Sequence, residues 1–422
     1  MSAGRLSRRE ALTLLAAAPI GACSRGSGPG TVTLWAMGNE GANVPKLMGG
    51  FESANPGLRV EVQPLPWTAA HEKLLTAYAG GSLPDVSQIG NTWLAELAAI
   101  GALAPLPATQ KGLLQDQFPA VLDTNRIGGT YYGVPWYVDT RVQFWRTDLF
   151  QRAGHAQPPT NWADWKGALH EVKRVAGSGS YAILLPLNEF EQLLTFGLQQ
   201  EEPLLRDNGS RGNFSSAGFK SALGFYKSLF DENLAPVATA SQISNIWNEF
   251  ARGFFSVLIS GPWTIGDMKS RLPAEFQPRW ATAGMPGPDG PGASAPGGSS
   301  LVVFKNARDP DAAWRLVQYL SQPAVQAEFQ VLTGDLPAKR EAWAAPALAS
   351  DPHVLTLRAQ LGRAQAVPKV PEWERIVTEM QIVAERMVRG EFTVDAAAAE
   401  IDVRADRLLE KRRWMLERGR AL

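Results

Sequence analysis

The chain has 422 residues, 45% hydrophobic and 19% charged, with 41 basic residues balancing 41 acidic ones. That length calls for about two or three domains, and the composition excludes both disorder and a multi-span membrane protein. The zero net charge provides no global field for recruiting nucleic acid.

The opening MSAGRLSRREALTLLAAAPIGACSRGSGPG reads as an address. Arg5, Arg8 and Arg9 form a positive region, Ala11 to Ile20 an apolar run too short to span a bilayer, and small residues precede Cys23. SRREAL resembles a twin-arginine export signal and Ile20-Gly21-Ala22-Cys23 a lipobox, so Cys23 is the expected lipidation site and SRGSGPG a tether. Cys23 is also the only cysteine, which rules out an internal disulfide in the mature protein. An exported, periplasmic or cell-surface lipoprotein is expected, held to the membrane through its anchor alone.

After residue 30 the elements alternate. TVTLWAM reads as a strand, NEGANVPKLMGGFESANPGL as a helical pattern ending in a turn, and LRVEVQPLPW as a second strand. A helix around HEKLLTAYAGG follows, then SLPDV as a turn and SQIGNTWLAELAAIGAL as strand plus helix. This alternation predicts a parallel or mixed sheet flanked by helices. The stretch YYGVPWYVDTRVQFWR, six of whose sixteen residues are aromatic, closes the first α/β block. A second block begins near Asp148 with helical segments at NWADWKGALHEVKRVAG, EFEQLLTFGLQQ and SAGFKSALGFYKSLFDENL, and ends in ISNIWNEFARGFFSVLISGPW, a helix leading into a strand. Gly284 to Gly298 holds ten Gly or Pro in fifteen residues at irregular spacing and reads as a surface loop. The strand LVVF and several helices complete the chain.

Catalytic and metal signatures are missing from the sequence. The four histidines are scattered, and there is no HExxH, phosphate-cradling GxxxxGK[ST], GxGxxG or GxSxG. No metal and no cofactor is implied. A remote pair of glycosidase carboxylates is not excluded by counting, but no feature singles one out.

Taken in order, TVTLWAM, FESANPGLRVEV, GGSLPDV, YYGVPWYVDTRVQFWRTDLF, NWADW, FARGFFSVLISGPW, AAWRLVQYLSQPAVQAEF and LPAKREAW resemble the extracellular solute-binding proteins of carbohydrate ABC importers, family 1, the maltose/trehalose-binding group. The resemblance implies an α/β fold of the periplasmic binding protein-like type II: two α/β lobes joined by a multi-segment hinge, with a ligand cleft between them. It places the signal and tether at 1–30, the N-terminal lobe at 31–138 plus 302–340, and the C-terminal lobe at 139–301 plus 341–422. The crossings are expected near Val138 to Val142, Gly298 to Val302 and Leu336 to Trp343. The implied partners are a di- or oligosaccharide and the importer's transmembrane subunits, with the protein a monomer and no enzyme. The same fold binding glycerol 3-phosphate or a polyol, or an exported carbohydrate-active enzyme, are the rival readings.

A sugar needs directional partners for its hydroxyls and flat apolar surface for its CH-rich faces. The resemblance places such groups at strand ends. Glu40 and Asn43 follow the first strand, with helix capping as the other reading. Trp67 and Thr68 follow the second, where a core Trp competes. Asn91 and Thr92 end the QIG strand. Tyr137 and Asp139 match the family's crossover Tyr and acid, and Arg141 is either a ligand residue or the salt-bridge partner of Asp139. Asn188 and Glu189 follow YAILLPL. Trp263 is the preferred stacking platform, Gly298 and Ser299 expose backbone N–H groups, and Asp335 is a ligand or a turn former. Lys369 and Trp373 complete the set. Trp162 and Trp165, at a helix start, read as packing. In the crossover stretch, Tyr137 and Asp139 are expected at the cleft mouth, and Val142, Phe144 and Trp145 in the core.

Overall fold

The computed structural model describes residues 30–419; the signal segment, Cys23 and all of the tether but Gly30 lie outside them. Ten strands matter for the site: β1 (Thr31–Met37), β2 (Arg59–Leu65), β3 (Val86–Gly90), β4 (Gly133–Thr140), β5 (Val142–Arg146), β6 (Ile183–Leu184), β7 (Val257–Ser260), β8 (Trp280–Ala283), β9 (Pro296–Val303) and β10 (Leu336–Pro337). They form two sheets, ordered β10-β4-β9-β3-β1-β2 and β8-β5-β7-β6. In the first, β1 runs parallel to both β2 and β3, whereas β9 is antiparallel to β3 and β4. Each sheet is the centre of one lobe.

Successive side chains of TVTLWAM point to opposite faces, and because Trp35 and Met37 are apolar as well as Val32, Leu34 and Ala36, the first sheet is covered on both faces. Val32, Leu34 and Ala36 pack into one cluster with Trp314, Leu316 and Val317 of the helix Pro310–Leu320. Trp35 and Met37 pack on the other side with Ala70, Leu74 and Ala77 of the helix Trp67–Ala79. The second sheet follows the same rule, Trp145, Val257 and Ile259 entering one core and Phe144 and Leu258 another. Trp162 and Trp165 are buried packing residues; Trp162 stacks on Phe225 at 4.2 Å and Trp165 donates its indole N–H to Gln143.

The chain passes between the sheets three times. The first passage is the single residue Arg141, between β4 and β5. The second lies between Ala283 and Pro296, ahead of the expected 298–302, because the ladder of β9 to β4 already begins at the Pro296–Thr140 pair. The third follows Pro337, after β10 has paired with β4. A shared core binds these passages: Val138, Val142, Leu336, Ala338 and Trp343 pack in one cluster with Leu357 and Leu361. The strand read from YAILLPL is only the two residues Ile183–Leu184, and Pro186 stands where a longer ladder would need a backbone donor. No described helix is long and apolar enough to cross a membrane.

Candidate functional site

Between the lobes lies a cleft of about 1120 Å³. Its floor is built from strand ends of the first sheet. Tyr137 on β4 is 4% exposed, so it is a floor residue and not the exposed mouth residue expected; its ring packs near Trp136 and Phe329. Its hydroxyl donates to Glu40 Oε1 at 2.5 Å and accepts from Ser299 Oγ at 2.9 Å and Gln88 Nε2 at 3.1 Å. Burial pushes the Glu40 carboxyl above its usual range despite this bond and one from Trp67. The same burial, with Glu40 beside it, raises the Tyr137 phenol well above its normal value. Glu40 thus turns its carboxylate to the floor while its own backbone N–H, in the first turn of the helix Gly38–Asn43, also faces it.

Asp335, immediately before β10, is 5% exposed and lines the same floor. Burial first, then the neighbouring Glu40, raises its carboxyl well above the usual carboxylate range. Asn39 ties the two sides of this corner by donating to the Thr333 carbonyl at 3.2 Å. Asp139, at the end of β4, is held differently: Arg141 Nη1 donates to it at 2.8 Å, and Gly298 N–H also bonds its carboxylate. Gly297 and Gly298 allow this close approach: a Cβ on Gly297 would meet Asp139 Oδ1 at 1.9 Å, and Gly298 has φ +105°.

The second lobe supplies the opposite wall. Trp263, first residue of the helix Trp263–Arg271, is 39% exposed, with Arg141 4.8 Å above its ring centroid. Arg141 also approaches Glu191 at 3.6 Å. On the first lobe Trp67 meets Trp93 edge-on at 5.6 Å.

Of the residues expected from sequence, Glu40, Trp67, Asn91, Thr92, Tyr137, Asp139, Arg141, Trp263, Gly298, Asp335 and Trp373 line the cleft. Asn91 is part of the frame, its amide donating to the Gly297 carbonyl and accepting from Ser300. Six lie off the cleft wall. Asn43 bonds Asn39 and Lys46 on its own helical segment, and Thr68 is exposed. Asn188 accepts from the Ala240 amide, and Glu189 accepts from Gln192 and faces a smaller hollow behind Trp263. Ser299 is buried beneath Tyr137. Lys369 is paired with Asp123 at 2.7 Å. Sequence reasoning missed Asn39, Trp93, Glu191, Asp267 and Glu374, which also line the cleft.

Every basic side chain on the wall has an acidic partner: Arg141 with Asp139, Lys269 with Asp351 and Arg271 with Asp267. Among the described residues no group of three or more His, Cys, Asp or Glu is placed to hold a metal ion. The arrangement offers hydrogen-bond acceptors and aromatic faces.

Residues 46–356 match the bacterial extracellular solute-binding protein family. The sugar-binding protein MalE from the phytopathogen Xanthomonas citri is 50% identical, with a TM-score of 0.86 over 92% of this chain and 99% of that one. The GacH receptor of Streptomyces glaucescens, solved unliganded and with acarbose, is 26% identical, with a TM-score of 0.80 over 91% and 99% of the two chains. A putative binding protein of Brucella abortus is 27% identical over 380 residues, 86% of this chain and 88% of its own. The chain belongs to the bacterial extracellular solute-binding protein family, and its fold is the two-lobe fold of these neighbours.

Proposed function

We propose that this protein is the sugar-capturing component of an ABC importer, taking a di- or oligosaccharide of the maltose or trehalose type into the interlobe cleft and presenting it to the membrane subunits by hinge closure. The observation that carries this reading is the pairing of the two kinds of surface a sugar needs. Glu40, Asp335 and the Asp139–Arg141 pair offer directional partners at the floor, and Trp263 and Trp67 offer aromatic faces on opposite lobes. The 50% identical sugar-binding protein supports the same ligand class. Lobe closure is driven only by a ligand that stabilises the closed arrangement more than the open one, which a sugar touching both walls does.

In this reading the protein binds without transforming its ligand, as a monomer anchored through lipidated Cys23. A phosphorylated ligand such as glycerol 3-phosphate fits poorly, because each cation on the wall is already matched by a carboxylate. Isothermal titration against maltose, maltotriose, trehalose, mannitol and glycerol 3-phosphate tests the assignment. Heat from an oligosaccharide and none from the phosphate is the expected result. Silence with every sugar, from protein that melts cooperatively, refutes it; sustained release of reducing sugar would favour an enzyme.

A further inference from the structure

The segment between the helices Pro352–Leu361 and Trp373–Val388 does something the sugar reading does not use. Val367, Val370 and Trp373 are buried in the second-lobe core and fix the segment to that lobe. Lys369, between those anchors, reaches the other way. Its Nζ donates to Asp123 Oδ2 at 2.7 Å, to the Asp123 carbonyl at 3.2 Å and to the Arg126 carbonyl at 3.4 Å. Asp123 belongs to the helix Pro119–Thr124, which packs against β4 and β9 of the first sheet, and Arg126 holds its other oxygen at 3.1 Å. Five residues after Lys369, the Glu374 carboxyl lies beside Thr92, on the first-lobe loop after β3. One short segment thus meets the first lobe at two places, and the Lys369–Asp123 tie must part when the lobes separate.

We infer that residues 367–374 form a latch, in which Lys369 holds the lobes together and sets how long a ligand stays without touching it. Lys369 is a positioning residue: it is absent from the cleft wall. The proposal rests on the cleft being a sugar site closed by hinge motion, but its first test needs no sugar.

A pair of spin labels, one on each lobe of the full-length protein, reports the lobe separation without ligand. Lys369→Met is expected to shift the distance distribution to longer values, and Lys369→Arg to leave it as in the parent. With the sugar identified by titration, stopped-flow release should be about two- to fivefold faster in Lys369→Met, as loss of a half-exposed ion pair implies, with the association rate unchanged. The difference should shrink in high salt, which screens the parent's own pair. Asp123→Ala should act alike, and the double variant should be no worse than either single one. Unchanged label distances in Lys369→Met, or effects of the two substitutions that simply add, overturn the latch. If no sugar binds, the sugar reading fails while the label distances still decide the latch.

Discussion

Replacing Trp263 with Ala tests the stacking wall at the point where structure fixes the expected size. The indole is 39% exposed. A fully buried Trp hides up to ~250 Å², so about 100 Å² of this ring remains for a sugar face to cover. At ~25 cal/mol/Å² that area contributes at most about 2.4 kcal/mol to binding, or about fiftyfold in Kd. Folding should suffer as well, because the other ~150 Å² of the ring is already buried and at ~25 cal/mol/Å² holds up to about 4 kcal/mol, besides its contact with Arg141. Isothermal titration with the sugar, alongside a melting curve, measures both quantities. Gly261→Ala offers a second route to the same wall: its new Cβ would meet the ring's Cζ3 at 2.2 Å and so displace an intact indole. It too should weaken binding, by less than the full truncation. A change in Kd under about threefold for Trp263→Ala, in protein that still melts cooperatively above the titration temperature, refutes stacking at this residue.

Asp335→Asn should trade affinity for stability. The folded carboxyl is raised above its unfolded value of about 3.9, so its contribution is fully present below that pH and is lost as pH climbs through the folded pKa. The variant's melting temperature should therefore gain on the parent's as pH rises from about 4 to 8, while its sugar affinity falls; a constant difference across that range would exclude the raised carboxyl. Asp139→Ala leaves Arg141, its side chain only 18% exposed, with Glu191 and Glu189 as its remaining acidic neighbours and should cost up to about 3 kcal/mol in chemical denaturation. Gly297→Ala places a methyl 1.9 Å from Asp139 Oδ1; overpacking of about 1–3 kcal/mol is expected, together with weakened sugar binding.

The first lobe was legible because strands and helices alternate along its chain. Glu40, Tyr137, Asp139 and Asp335 were reached because the family resemblance places ligand contacts at strand endings or in the turn before one. Helix starts were read less well. The sequence suggested Asn188 and Glu189 as contacts after YAILLPL, yet the strand stops at Leu184 and the cleft is met by Phe190 and Glu191. A two-residue displacement of that kind is invisible without knowing where the ladder ends. Glu374 sits in the first turn of its helix and Asp267 in the second turn of its own, where rotation about the axis decides which side chain faces the cleft. Lys369 was misdirected for a different reason. Its spacing from the apolar anchors in VPKVPEW is visible in the sequence, but its partner Asp123 is 246 residues away, and no local pattern names it.

The floor residues and the hinge are the same pieces of chain. β4 ends at Thr140, where the first passage begins, and carries Tyr137 and Asp139. β9 starts at Pro296, where the second passage ends, and carries Gly297, Gly298 and Ser299; β10, which leads into the third, is preceded at once by Asp335. A ligand hydrogen-bonded at this floor therefore pulls on all three connections within a few residues of their pivots. The hydrogen bonds among Tyr137, Ser299 and Gln88 bind these strand ends rigidly from below. Arg141 goes further: it is itself the first passage, bonds Asp139 of the floor, and lies over Trp263 of the far wall. Any displacement of Asp139 by a bound sugar must move a residue that belongs to neither sheet and touches both lobes, which couples occupancy of the cleft to the angle between its walls.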